Sequence, residues 1–203
     1  MSQKQSNNIA EYLNCQSILE SQTSLLYSVL SSKIEVPLIK TLLKEIEFDT
    51  KKHAILLKGI SESLKQTKGT EKECSKNSLT LQTINKLLKE IEKIDKLGSE
   101  DLRKISEIFI TLESQMGEEY YILVQMKTLE RMTTIINQDY AIDLTKVKGI
   151  FLKIIRDEER HIEVLETIKQ MTAEKEQPNN SPLVRFQNPD AWFKPAVSAV
   201  YES

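Results

Sequence analysis

Apolar residues recur at helical spacing along most of the chain, in four long segments. Residues 8–32 carry two adjacent apolar lines, and residues 37–62, 99–136 and 143–170 carry one line each. Residues three or four apart share one face of a helix. The pattern therefore predicts four long amphipathic helices, each with one face directed into a common core.

The breaks between these segments predict how the helices connect. Only a short break precedes Pro37, which fits a first helical turn, so we expect the first two helices to pair antiparallel. Residues 63–78 are polar and without periodicity, and we expect them to form a surface crossover. An amphipathic piece over 79–97 ends at Gly98, and residues 137–142 make the turn into the last helix.

We therefore expect an all-α protein, an antiparallel four-helix bundle with a long crossover that contains an extra helix. The bundle takes residues 1–171. Residues 172–203 hold four of the five prolines and the only Trp, so we expect an irregular C-terminal tail. Trp192 and Phe193 are candidates for docking a partner groove, and the simpler alternative is that the tail packs on its own bundle or is disordered.

Composition narrows the classes of partner. The chain has 203 residues, 29% of them charged, and a net charge of −2. It therefore lacks the excess of positive charge that is typical of nucleic-acid-binding proteins. No apolar run has membrane length and no signal-peptide pattern opens the chain, so we expect no membrane association. Cys15 and Cys74 lie far apart in sequence and do not form a metal or redox motif, so we expect reduced thiols and a cytoplasmic protein.

The last helix carries the strongest chemical signal. Glu158 and His161, three residues apart, fall within its inward line of apolar side chains. Burying a carboxylate and an imidazole is costly unless something compensates. A metal is the commonest compensation for a Glu-x-x-His pair inside a helix bundle. The apolar members of the line are Val147, Ile150, Ile154, Leu165 and Ile168.

The first two helices place further candidate ligands at the same depth. Glu20 lies on an inward line of the first helix and faces the turn from Thr50 to His53 when the pair is antiparallel. The chain has two histidines, and both fall at inward positions. One inward acid or imidazole is usually a hydrogen-bonded core residue, but the conjunction favours a metal site. We expect His53 and His161 to lie within roughly 12 Å of each other.

The acid contributed by the third helix is ambiguous. The depth along the bundle favours Glu119, which we choose, with Glu118 and Glu113 as alternatives. A short internal repeat favours Glu113 instead, because Leu-Glu-Ser-Gln with a following Tyr occurs at both 19–27 and 112–120.

These four elements resemble the ferritin-like, rubrerythrin-type superfamily. That family has two helical hairpins joined by a long crossover, a Glu on the first and third helices, and Glu-x-x-His on the second and fourth. The likeness covers about residues 8–170. The matching stretches are LESQTSLLY (19–27), EIEFDTKKHAILLKGI (45–60), GEEYYILVQ (117–125) and IIRDEERHIEVLE (154–166).

The resemblance implies iron, as a pair or a single ion, or manganese, and chemistry with oxygen or peroxide. It implies the ligands Glu20, His53, Glu119, Glu158 and His161. Glu20 and Glu119 would be terminal or bridging, Glu158 would bridge, and the histidines would be terminal. A peroxidase or ferroxidase activity in oxidative stress follows as an expectation, and we further expect a homodimer.

Two departures from the family pattern weaken that expectation. Thr50 stands where the second helix should carry Glu, and the adjacent Asp49 lies about 100° around the helix. No Cys-x-x-Cys pair follows, so the rubredoxin module is missing. With one carboxylate fewer, one of two metals would bind weakly. The alternative interpretation is a ferritin-like scaffold or protein-binding module whose metal site has degenerated and which has no catalysis.

Overall fold

The computed structural model describes residues 3–64, 71–125 and 147–173, and these ranges contain six α-helices and no β-strand. The predicted all-α class is confirmed. The C-terminal tail, the turn at 137–142 and the last predicted turns of the third long helix lie outside the described residues. No helix in the described ranges is long and apolar enough to cross a membrane.

Helices α1 (Gln3–Ser32) and α2 (Pro37–Ser63) form an antiparallel pair. Pro37 occupies the start of α2, where its missing N–H leaves no helical hydrogen bond unmade. Serines bond the two helices together, because the Ser17 hydroxyl donates to the Ala54 carbonyl and the Ser61 hydroxyl to the Ala10 carbonyl. These contacts set the register as the sequence predicted, with the middle of α1 beside the middle of α2.

Two shorter helices, α3 (Glu71–Asn77) and α4 (Leu79–Glu92), lie in the crossover and pack against α1. The Ser78 side chain accepts a hydrogen bond from the Leu81 amide and so caps α4. The crossover is thus more regular than predicted, since α3 falls within the stretch of 63–78 in which the sequence shows no periodicity. The amphipathic piece ends at Glu92, earlier than the Gly98 stop suggested.

Cys15 on α1 and Cys74 on α3 form a disulfide bond, with 5.3 Å between their Cα atoms. The prediction of unpaired, reduced thiols was therefore wrong. The two cysteines are 59 positions apart in sequence, but the crossover returns to α1 and brings them together. Cys74 is buried in this contact. The cytoplasmic location itself remains a prediction.

Helices α5 (Ser99–Gln125) and α6 (Val147–Ala173) form the second antiparallel pair. The Gly98 amide donates to the Asp101 carboxylate at the start of α5. Lys169 pairs with Glu107, and Gly117 lies against Glu158, so sequence numbers fall along α6 as they rise along α5.

The two pairs face each other across one apolar core. Thr23 on α1 contacts Met116 on α5, and Lys52 on α2 pairs with Asp157 on α6. The inward line predicted for α2 is buried along its whole length, and it consists of Ile39, Leu43, Ile46, Thr50, His53, Leu57 and Ile60. The largest fully buried side chains include Tyr27, Tyr120, Phe109, Phe151, Leu13, Leu26, Leu30, Leu43, Ile46, Leu57 and Leu81.

Candidate metal centre

Glu20 on α1, His53 on α2 and Glu158 on α6 form the first group of candidate ligands. His53 Nδ1 lies 3.0 Å from Glu158 Oε1 and 3.8 Å from Glu20 Oε1. One ligand atom from each residue falls within 4.8 Å of the others, and all three side chains are buried. Three helices therefore deliver two carboxylates and an imidazole to one point in the core.

Glu113 on α5 joins Glu158 and His161 of α6 in a second group of the same composition. His161 Nδ1 lies 3.1 Å from Glu113 Oε2 and 3.7 Å from Glu158 Oε2. Glu158 belongs to both groups. The two imidazole rings are stacked with their centres 6.0 Å apart, within the expected limit. The two groups together form one cluster of five residues around a shared carboxylate.

The cluster leaves buried polar atoms without hydrogen bonds. In the described part of the chain six buried side-chain atoms lack such a partner, and five of them belong to the cluster. Each unpaired buried group costs about 1–3 kcal/mol. A cation held between the groups would satisfy the inward-facing atoms among them. The five are Glu20 Oε2, His53 Nδ1, Glu158 Oε1, Glu158 Oε2 and His161 Nε2.

The short distance from His53 Nδ1 to Glu158 Oε1 does not remove this deficit. The two atoms are 3.0 Å apart, yet neither makes a hydrogen bond of acceptable geometry. The contact between them is therefore electrostatic rather than a directed hydrogen bond. Mixed imidazole and carboxylate donors suit iron, manganese or zinc, so the residues present fit the expected metals.

Glu119 lies outside the cluster, which corrects the choice made from sequence. Its carboxylate accepts hydrogen bonds from Gln16 and, at 3.5 Å, from Tyr12 of α1. Depth along the axis does not determine the face of the helix, and six residues from Glu113 to Glu119 turn the chain about 240°. Glu118 is exposed. The short internal repeat, which matches Glu113 with Glu20, was a better guide to this residue than depth along the bundle.

Two buried tyrosines orient the carboxylates. The Tyr120 hydroxyl donates to Glu20 Oε1 at 2.5 Å, and the Tyr27 hydroxyl donates to Glu113 Oε1. Each tyrosine stands seven residues after the acid on its own helix and bonds the acid of the other pair. Burial, together with the neighbouring carboxylates, raises the pKa of both phenols well above 10. Both hydroxyls therefore remain protonated donors.

Two aspartates stand behind the histidines, and the sequence analysis missed this role. Asp157 Oδ2 lies 3.0 Å from His53 Nε2, and Asp49 Oδ2 lies 3.8 Å from His161 Nε2. The carboxylate of Asp157 hydrogen-bonds His53, a contact that fixes the tautomer and orientation of a ligating imidazole, whereas His161 Nε2 makes no hydrogen bond with Asp49. The available signal was the repeat of DTKKH (49–53) as DEERH (157–161).

Surface cations bind both aspartates from the outside. Lys52 pairs with Asp49 at 2.7 Å and with Asp157 at 2.8 Å. Arg160 also contacts both aspartates. The side chains of Lys52 and Arg160 are about half exposed, so this layer separates the histidines from solvent.

The charges within the cluster shift its protonation. Burial lowers the pKa of each histidine, but the adjacent carboxylates outweigh it and raise the pKa of His53 to about 11 and of His161 to about 10. Burial and the negative charges of Glu113 and Glu20 raise the pKa of Glu158 to about 8. Without a metal, protonated histidines therefore neutralise the carboxylates.

Thr50 is buried beside the cluster but brings no charge to it. Its hydroxyl donates to the Ile46 carbonyl at 2.8 Å, within its own helix. The position equivalent to Glu158 is thus occupied by a neutral side chain whose only proton is already used.

Comparisons of the chain with protein-family profiles, with curated proteins and with solved structures find no match. The class of protein therefore follows from the geometry alone: the described ranges are helical and hold a buried cluster of three carboxylates and two imidazoles.

Proposed function

We propose that this chain is a ferritin-like four-helix metal protein that binds iron, or manganese, through Glu20, His53, Glu113, Glu158 and His161. The observation that carries the proposal is the set of five buried cluster atoms without hydrogen bonds. Core residues that served only packing would satisfy these atoms or replace them with apolar groups.

The cluster supports one or two ions that share Glu158. Each group of three ligands has two carboxylates and one imidazole, and Glu158 is common to both. Three carboxylates around two divalent cations leave a net charge of about +1, so the second ion is held less tightly than the first. Iron bound here would supply redox chemistry towards oxygen or peroxide, as in a peroxidase or ferroxidase.

The residues of the chain have separate tasks in that function. Tyr27 and Tyr120 hold Glu113 and Glu20 in place through hydroxyl hydrogen bonds. Asp157 holds the outer nitrogen of His53. The apolar core around the cluster excludes water and strengthens each of these interactions.

A metal-binding titration tests the proposal. The purified chain is freed of metal, equilibrated with ferrous iron or Mn²⁺ without oxygen, and dialysed, and the metal per chain is measured. We expect at least one ion per chain. Glu113→Gln should lower that number, whereas the matched control Glu119→Gln should leave it unchanged.

Two results would count against the proposal. A wild-type chain that retains no metal would overturn it. Equal losses in Glu113→Gln and Glu119→Gln would show that the cluster is not the binding site. If the chain does bind metal, two assays of the loaded chain would distinguish a peroxidase from a ferroxidase: consumption of peroxide and oxidation of ferrous iron.

A non-catalytic scaffold is the second candidate. The observation that favours it is Thr50, which supplies no fourth carboxylate and bonds within its own helix. A chain that binds metal but neither consumes peroxide nor oxidises ferrous iron would support this alternative.

A further inference from the structure

A pocket of about 440 Å³ lies between α5 and α6, and two of the candidate ligands line it. These are Glu113 and Glu158, each 1% exposed, so they form its innermost surface. Both carboxylate oxygens of Glu158 lack a hydrogen-bond partner. The pocket thus lies directly over Glu158, the residue that the two ligand groups share, and the carboxylate oxygens of Glu158 are buried beneath it.

The sides of the pocket are mainly apolar. Tyr121 and Ile122 of α5 are more than half exposed, and Ile155 and Ile162 of α6 are partly buried. Pockets of about 300–1,000 Å³ with apolar walls and a few polar groups are typical of small-molecule sites.

Gly117 keeps the space above Glu158 free. A Cβ atom at this position would lie 3.5 Å from Glu158 Cβ, which is ordinary contact. A longer side chain would occupy part of the pocket that Gly117 and Glu158 line together.

A second pocket provides a contrast. It lies between α1 and α2 and has a volume of about 410 Å³. None of the five cluster residues lines it, and Ser17 bonds across the helices at its inner side. Of these two pockets, only the one between α5 and α6 reaches the cluster.

We propose that the α5–α6 pocket is the reactant-binding site of the candidate metal centre and takes small neutral molecules with an apolar body and a polar end. The apolar sides favour the body of the ligand, and the lining includes the exposed carboxylates of Glu118 and Glu159 and no cationic side chain, which disfavours an anion. An organic hydroperoxide has this chemistry. That last identification rests on the proposed function, whereas binding of a neutral apolar molecule does not.

The matched residues Ser114 and Ser21 test the proposal. Both serines are exposed, follow Glu113 and Glu20 directly, and line the α5–α6 and α1–α2 pockets respectively. Ser114→Trp should fill the first pocket and Ser21→Trp the second. Ile122→Glu, at an exposed position, places a charge on the wall of the α5–α6 pocket without affecting the core.

The probe is 2-phenyl-2-propanol, an unreactive alcohol of the same shape as cumene hydroperoxide, titrated into the metal-free chain and followed by amide NMR shifts. We expect saturable shifts at Gly117, Ile122 and Ile162. Ser114→Trp and Ile122→Glu should weaken binding at least tenfold, and Ser21→Trp should leave it unchanged. Benzoate, an anion of similar size, should not bind.

The absence of metal separates this proposal from the proposed function. Four results would each overturn the proposed binding site. These are shifts centred on α1–α2, equal losses of affinity in Ser114→Trp and Ser21→Trp, tight benzoate binding, and no saturable shift. Failure of the chain to bind iron or Mn²⁺ would overturn the proposed function. The titration of the metal-free chain would still decide whether the pocket binds the alcohol.

Discussion

The helix pairs α1–α2 and α5–α6 contribute matching sets of side chains to the cluster and to its immediate surroundings. Each pair supplies a Glu and a Tyr seven residues later from its first helix, and an Asp and a His four residues later from its second. Thr50 on α2 stands where α6 has Glu158, and the α6 carboxylate serves both ligand groups. The centre is therefore symmetric in its imidazoles and asymmetric in its charge.

The pairs also differ in how closely they shield the cluster. Serine hydroxyls of α1 and α2 bond backbone carbonyls of the opposite helix at Ala54, Glu47 and Ala10. Between α5 and α6, Glu113, Gly117 and Glu158 line a pocket, and no cluster residue lines the pocket between α1 and α2. The pair that supplies the shared carboxylate is thus also the pair whose pocket we propose as the reactant-binding site.

Glu158→Gln should have the largest effect, because it removes the carboxylate common to both groups. We expect metal affinity to fall by well over about 100-fold, which exceeds the change typical of an outer-sphere residue. Equilibrium dialysis of wild type and variant measures it. An unchanged affinity would show that Glu158 is not shared.

Thr50→Glu should remove the asymmetry between the helix pairs. A fourth carboxylate brings two divalent cations and their ligands to about zero net charge, so the number of irons per chain should rise towards two. The metal-free variant should melt below wild type, since buried carboxylates repel, and ferrous iron should reverse that loss. Two irons bound by wild type, or no rise in the variant, would contradict this account of Thr50.

Asp157→Asn and Asp49→Asn should affect metal affinity to different extents, because the two aspartates lie at different distances from the imidazoles. Asp157 lies 3.0 Å from His53, whereas Asp49 lies 3.8 Å from His161. We expect Asp157→Asn to reduce metal affinity about 10–100-fold and Asp49→Asn to reduce it less. Affinities measured by competition with a chelator distinguish the two variants, and the reverse order would refute the assignment.

The metal-free chain should lose stability as the pH rises from 6 to 9. The pKa of Glu158 is raised from 4.5 to about 8, so the folded state holds a proton that the unfolded state has released. The pKa values of His53 and His161 are raised from 6.5 to about 11 and 10, and their contribution, complete below 6.5, declines above it.

Metal should oppose this trend. Binding requires deprotonated imidazoles and carboxylates, so the rise in melting temperature caused by Mn²⁺ should grow with pH. Melting curves at pH 6, 7, 8 and 9, with and without Mn²⁺, measure both effects over a few degrees. A metal-free melting temperature that rises across this range would contradict the charge assignment.

The sequence by itself determined the helical class, the long helices and four of the five cluster residues. Period and spacing carry this information, because Glu20, His53, Glu158 and His161 each interrupt an apolar line on a helix. The DTKKH and DEERH stretches also contained the matching aspartates, although their role depends on a partner helix.

Only the tertiary structure decided between Glu113 and Glu119, because the face that α5 turns to the cluster depends on its packing against α1 and α6. It also decided the pairing of Cys15 with Cys74, since a separation of 59 residues closes only when the crossover packs on α1. The reach of the α5–α6 pocket to Glu158 likewise depends on two helices meeting at Gly117. Periodicity reports the faces of single helices, whereas these three features arise from contacts between helices.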